Sequence, residues 1–294
     1  MTPLRQRMID DMRLRHLSPH TVASYLGQVT RFAAHFGRSP ETLGPEDIRT
    51  YQVHLTTARR LSVSSVLIAV AALRFLYKVT LRKDWRFDEF IPLPKKPQTL
   101  PVVLSPEEVQ HFLACVVSVK HRTILTVCYA GGLRISEVVR LRIADIDSQR
   151  MVLRIEQGKG QKDRYVMLSS RLLTILRDWW RREKPTHWLF PGEVAGAPVT
   201  RSAVERVCQH ARRRSGIAKP ITPHSLRHAF AVHLLESGTN VRTIQLLLGH
   251  RSLATTARYL RIATSSVCAT PSPFDLLPCP PPPPESAPVP PPHF

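Results

Sequence analysis

The chain is 294 residues long, about two domains' worth at roughly 150 residues each, which excludes a peptide hormone or a small disulfide-stapled scaffold. Its 42 Lys and Arg outnumber 22 Asp and Glu, for a formal charge of +20, and 33 of the basic residues are arginine. Guanidinium forks grip phosphate oxygens in pairs and keep their charge when partly buried, so this bias points to a strongly anionic polymer such as nucleic acid.

From the N-terminus, the pattern predicts helices over residues 3–16, 18–36, 45–58 and 62–79. In the second, Ser18 is placed to cap, Pro19 takes the first helical position, and Val22, Tyr25, Leu26, Val29, Phe32, Ala33 and Phe36 recur at three-four spacing until Gly37. Pro45 opens the third, with Ile48 and Tyr51 inside it, and Ser62 caps the fourth, whose inner positions are Val66, Val70, Leu73 and Tyr77. Residues 1–90 therefore read as a four-helix bundle with 14 basic and 8 acidic side chains. The segment Ile91–Pro101 holds four prolines and two lysines in eleven residues, the composition of an extended connector.

Residues 102–265 carry 26 basic and 12 acidic side chains and read as mainly helical. A helix near 123–129 is broken by Gly131 and Gly132, and Arg134 falls in the first turn of the next, where Glu137 either orients the guanidinium or makes an ordinary i,i+3 surface pair. Two β-prone runs, Met151–Ile155 and Arg164–Leu168, frame a glycine-containing loop with Lys159 and Lys162, which predicts a hairpin. The run Arg212–Arg214 is either a phosphate contact or a solvated helix face. Thr222 and Pro223 open a helix that stacks His224 and Arg227 one turn apart, near the free N–H groups that favour an anion. Leu246–Leu248 precede a helix-stopping Gly249 that thrusts out His250. Ser252 then caps a short helix whose Leu253, Ala257 and Leu260 are expected to face inward, with Tyr259 nine residues beyond His250. Residues 266–294 turn proline-rich, the composition of a disordered or polyproline-like tail, with Phe274–Leu277 as its apolar patch.

Cys115, Cys128, Cys208, Cys268 and Cys279 are odd in number and form no C-x-x-C pair, which predicts reduced thiols rather than disulfides or a zinc site. The longest uninterrupted apolar run, Val66–Leu73, is eight residues, short of the ~20 that span a bilayer. The expectation is a soluble cytoplasmic protein with no membrane partner.

Singly these motifs are ordinary. In this order and spacing, G-L-R-I-S-E (Gly132–Glu137), G-K-G (Gly158–Gly160), H-S-L-R-H (His224–His228), L-G-H (Leu248–His250) and Tyr259 resemble the tyrosine recombinases, or phage integrase family, most closely the compact Xer-like bacterial members. The resemblance spans about residues 4–263. It implies a mainly α fold: a SAM-like, four-helix core-binding domain (1–90), a linker (91–101), a mostly helical catalytic domain with a small antiparallel sheet (102–265), and the tail (266–294). The implied function is a site-specific DNA recombinase or integrase that cleaves and rejoins strands through a 3′-phosphotyrosyl intermediate, with no metal, ATP or other cofactor.

The resemblance also implies roles. Tyr259 would attack the phosphorus, Arg134 and Arg227 would hold the phosphate oxygens on which charge grows, and His250 would hydrogen-bond the phosphate. His224 would take the phenol proton, and Lys159, with Lys162 as its rival, would protonate the leaving 5′ oxygen. The implied partner is double-stranded DNA, acted on at the nucleoid by a homo-tetramer, or a hetero-tetramer with a related recombinase, on two sites. A type IB topoisomerase would share these side chains without exchanging partners, and a noncatalytic architectural protein would share only the charge. One departure is the tail: where Xer-like relatives carry a short docking helix, this chain is rich in proline.

Overall fold

The structure, a computed structural model, describes residues 2–86, 102–156, 163–250 and 252–261. The chain divides into two units, Met1–Thr99 and Leu100–Phe294.

The first unit contains helices α1 (Pro3–Leu14), α2 (Pro19–Phe36), α3 (Pro45–Thr57) and α4 (Val63–Phe75). α2 and α4 start where their caps predict. Ser18 Oγ accepts from Thr21 N at 3.2 Å, Ser62 Oγ accepts from Ser65 N at 3.3 Å, and Pro3, Pro19 and Pro45 occupy first turns where no amide hydrogen is needed. α2 ends on Gly37 in the left-handed region, at φ 63°. The first helix stops earlier than its pattern, at Leu14. The fourth changes from α to a π-turn over Leu76–Thr80, which swings Leu76 and Tyr77 inward. Met8, Met12, Phe32, Ile48, Tyr51, Val70, Leu73 and Tyr77 form the core. Phe32 meets the Tyr51 ring edge-on at 5.1 Å between centroids, and the buried Tyr77 hydroxyl donates to the Pro40 carbonyl at 2.7 Å. Among the described residues one helix, Val63–Thr80, is long and apolar enough to cross a membrane, and its Val66, Ala69, Val70 and Leu73 are spent on this core.

The second unit begins with α5 (Pro106–Ala114), α6 (Val119–Ala130) and the single turn α7 (Ile135–Val138). A three-stranded antiparallel sheet follows, in the order β1 (Ile146–Asp147), β2 (Val152–Ile155), β3 (Arg164–Met167). β2 and β3 form the expected hairpin, with Ile155 opposite Arg164. The two-residue β1 is an addition. Then come α8 (Ser170–Glu183), α9 (Arg201–Ser215), α10 (Pro223–Glu236), α11 (Val241–Leu248), α12 (Leu253–Ala257) and a 3₁₀ turn, Arg258–Arg261.

α10 is the axle of this unit. Every residue from Leu226 to Val232 is buried, including Arg227 and His228, so the middle two turns of the helix present no polar face to solvent, while His224 and Glu236 are exposed near its ends. A helix packed all round suits apolar residues, and two ionisable side chains inside it must be matched by fixed partners. The connector Ile91–Pro101, the loop lysines Lys159 and Lys162, and the tail 266–294 lie outside the described residues.

Candidate active site

Two glycines place the first arginine. α6 ends at Ala130, and Gly132 turns the chain at φ 59° so that Arg134 becomes the N-cap residue of α7. Glu137 accepts from the Arg134 backbone N at 2.9 Å and from its Nη1 at 2.9 Å. The i,i+3 pair is thus an orienting contact on a carboxylate only 7% exposed.

The same carboxylate receives a second guanidinium, from a residue outside the motifs. Arg164, first residue of β3, places Nη1 and Nη2 on the two Glu137 oxygens at 3.1 and 2.8 Å, while its Nε donates to the Leu247 carbonyl at 2.9 Å. Burial pushes the Glu137 carboxyl up, but the hydrogen bonds and charge of Arg164, then of Arg134, prevail and hold it below the usual carboxylate range.

Arg227 is fully buried. Its Nη1 and Nη2 donate to the carbonyls of Gly132 and Leu248, each at 2.6 Å, and Glu137 Oε2 lies 3.9 Å from Nη1. Among the described residues its Nε has no hydrogen-bond partner. Burial pulls this guanidinium down, Arg134 and Arg164 add to the effect, and Glu137 and Tyr259 oppose it; at about 9 it stays protonated at neutral pH.

Tyr259 sits in the 3₁₀ turn, only 2% exposed, with its hydroxyl 2.7 Å from His228 Nδ1. His228 is the last residue of the H-S-L-R-H motif, and its spacing alone assigns it no role. His224, exposed at the start of α10, lies one turn earlier, its ring edge-on to that of His228 with centroids 4.4 Å apart. The His250 ring lies nearly parallel to the Tyr259 ring at 6.5 Å, and its Nδ1 is 2.8 Å from Thr256 Oγ1. The turn that carries His250 closes on Gly249 at φ 62°, as expected, and is braced by the Gln245 amide, which donates to the His250 carbonyl at 3.0 Å.

One expectation is corrected here. Leu253 and Leu260 do not face inward; they are 46% and 47% exposed, and the inward positions are Thr256 and Tyr259. The three-residue step from Thr256 to Tyr259, across the change from α to 3₁₀ winding, puts the hydroxyl-bearing pair on the buried side. Elsewhere, Arg212 Nη2 donates to the Ala218 carbonyl at 3.3 Å, whereas Arg213 and Arg214 are exposed at the end of α9.

Arg134, His224, Arg227, His250 and Tyr259, scattered over 126 positions of sequence, therefore gather around the N-terminal half of α10, together with Arg164, Glu137 and His228. Buried cations, clustered imidazoles and a phenol form a constellation suited to a phosphoryl group, whose transition state gains charge on its oxygens.

Comparison with known proteins agrees. Residues 102–266 match the phage integrase family, and residues 4–87 match the phage integrase N-terminal SAM-like domain. The chain is 65% identical over 292 residues to the integrase/recombinase y4qK of Sinorhizobium fredii, covering 99% of this chain and 93% of that protein. It is 31% identical over 269 residues to the tyrosine recombinase XerC of Staphylococcus haemolyticus, covering 86% and 90%. In fold it is similar to XerH site-specific recombinase bound to palindromic difH substrate, with a TM-score of 0.70 at 21% identity over 87% of this chain and 80% of that one. The chain belongs to the phage integrase family. It is a tyrosine recombinase, an enzyme that acts on DNA and breaks and rejoins strands at specific sites through a phosphotyrosyl intermediate.

Proposed function

We propose that Tyr259 is the nucleophile, and that Arg134, Arg227 and His250 bind the scissile phosphate. The observation that carries this is the pairing of the Tyr259 hydroxyl with His228 at 2.7 Å within the field of the buried Arg227. The phenol oxygen attacks phosphorus, the 5′ oxygen leaves, and the 3′ phosphate stays on the tyrosine. An unperturbed phenol has a pKa of about 10, so its proton needs an acceptor; His224 is the acceptor by resemblance, and the hydrogen bond favours His228 as a second one. The leaving oxygen takes its proton from Lys159 or Lys162. The Arg227 Nε, which has no hydrogen-bond partner among the described residues, supports the phosphate assignment: a buried unpaired donor costs about 1–3 kcal/mol, which an anionic oxygen would remove.

In the same reading, residues 1–90 are a core-binding domain, 91–101 a linker, 102–265 the catalytic domain and 266–294 a tail, and four protomers act on two DNA sites in the cytoplasm, at the nucleoid. The experiment is a duplex nicked near the cleavage point, which traps a covalent adduct at the 3′ phosphate without added metal or nucleotide. Tyr259→Phe is expected to bind the duplex and give no adduct. Undiminished adduct in that variant refutes the nucleophile assignment.

A further inference from the structure

We infer, resting on Tyr259 as the nucleophile proposed above, that His228 rather than His224 takes the phenol proton as Tyr259 attacks, holds it only while a phosphate is bound, and returns it when the strands rejoin.

Geometry separates the two imidazoles. His228 Nδ1 stands 2.7 Å from the Tyr259 hydroxyl, within direct reach for proton transfer, and the two residues are buried together at 9% and 2% exposed. A neutral imidazole accepts at Nδ1 when its hydrogen is on Nε2. The His228 ring meets both of its neighbours: its centroid lies 5.6 Å from that of Tyr259 and 4.4 Å from that of His224. His224 itself is exposed, in the first turn of α10.

His228 also shares its helix with the phosphate-binding guanidinium. It follows Arg227 directly, in the buried middle turns of α10, so one rigid element carries both. Arg227 in turn donates to the carbonyls of Gly132 and Leu248, which fixes that part of α10 against the turn of Arg134 and the turn before His250. A proton acceptor built into the same element as the phosphate clamp stays in register with it, which an exposed first turn does not guarantee.

The charges balance through the step. The Tyr259 oxygen bonds to phosphorus and its proton moves to His228 Nδ1; the bond from phosphorus to the 5′ oxygen breaks, and that oxygen leaves with the electron pair and takes a proton from the general acid proposed above. The cation left on His228, one residue from the buried Arg227 charge, is unfavourable by itself and is offset by the negative charge that the phosphate brings and gains in its transition state. The phenol therefore gives up its proton with a phosphate bound and keeps it otherwise. In rejoining, the steps run backward and the imidazolium protonates the departing phenolate.

The test uses the full chain and a nicked duplex, with position 259 carrying either tyrosine or a trifluorinated tyrosine, whose phenol is ionised at neutral pH and needs no base. His228→Asn keeps a hydrogen-bonding group at the place of Nδ1 and cannot hold a proton there. With tyrosine it is expected to form the covalent adduct about a hundredfold more slowly than the parent, with the fluorinated phenol within about threefold of the parent carrying the same phenol, and to bind the duplex equally well. Rejoining of the trapped adduct to a strand with a 5′ hydroxyl should slow and be restored alike. Unchanged rates, equal loss on both phenols, or faster cleavage, which marks a restraint on the nucleophile rather than a base, each overturn the inference. His224→Asn is run on the same pair: a loss that fluorination restores there and not in His228→Asn assigns the proton to His224 and overturns the inference while leaving Tyr259 as nucleophile. Undiminished adduct from Tyr259→Phe removes the nucleophile reading itself. Melting is followed for every variant, and His228→Phe, which keeps a ring in the buried space, repeats the comparison: the same selective rescue supports the base, whereas loss on both phenols overturns it.

Discussion

Gly132→Ala is the change whose effect the geometry defines most closely. The residue turns the chain at φ 59°, where a side chain costs about 1–2 kcal/mol, and a Cβ there would overlap the Phe230 ring, whose Cγ would lie 3.1 Å away. Phe230 belongs to the buried cluster of Ile244, Leu248 and Tyr259, so it has little room to retreat, and overpacking of this kind costs about 1–3 kcal/mol. The sum, roughly 2–5 kcal/mol, corresponds to a fall in melting temperature of roughly 4–20 °C for a unit of this size. Trp179, Trp180 and Trp188 all lie in the second unit and report its unfolding by fluorescence. Because the Gly132 carbonyl also accepts from Arg227 Nη1, whatever shift relieves the overlap displaces that guanidinium, and adduct yield on a nicked duplex is expected to fall even at a temperature where the variant is folded. In a Phe230→Ala background, which bears its own cavity cost, adding Gly132→Ala should cost only the φ strain, because the ring it overlaps is gone. A Gly132→Ala protein that melts with the parent and cleaves normally refutes both halves of the reasoning.

Other outcomes follow from single contacts. Arg227→Lys keeps a charge but cannot reach both carbonyls that Arg227 holds at 2.6 Å, so cleavage of a nicked duplex should drop by about 10²–10³ with the protein still binding DNA. Thr256→Val removes the hydroxyl 2.8 Å from His250 Nδ1, and single-turnover cleavage is expected to slow about tenfold at unchanged DNA affinity. Glu137 has a folded-state pKa below its unfolded value near 4.3, so its contribution to stability is complete above that pH and is lost as pH falls through the lower folded value. Urea midpoints of the parent should exceed those of Glu137→Gln at pH 7 and converge with them toward pH 3; a gap that does not narrow contradicts the buried carboxylate.

Much of the fold is legible because it is local. Ser18, Pro19 and Gly37 mark both ends of α2 by backbone chemistry that needs no tertiary partner, and the same holds for Gly249 behind α11. The π-turn at Leu76–Thr80 and the two-residue β1 are not legible, since one is a packing adjustment and the other exists only through its pairing with β2. At the site, Arg134, His224, Arg227, His250 and Tyr259 stand in motifs whose spacing betrays them. Arg164 stands in none: it is one of 33 arginines, and the carboxylate that gives it meaning is 27 positions away. His228 closes the H-S-L-R-H motif, but its approach to the phenol is illegible for a different reason. Helical turns buried on all sides have no apolar stripe, so nothing in their periodicity marks which polar residue is turned toward the phenol. Leu253 and Leu260 mislead in the opposite sense, because an apolar residue on a five-residue helix is a weak pointer to the inside.

The seclusion of Tyr259 has a consequence for fidelity. If Tyr259 is the nucleophile proposed above, a phenol that is 2% exposed meets a phosphodiester only after the groups around it part, so it is expected to be available for a fraction of the time and the cleavage rate to scale with that fraction. DNA that stabilises the parted arrangement raises this fraction; DNA that merely sticks to the basic surface does not. Discrimination between target and bystander sequences can then reside in how often the reagent is uncovered, and a charge of +20 is compatible with wide DNA binding and rare cutting.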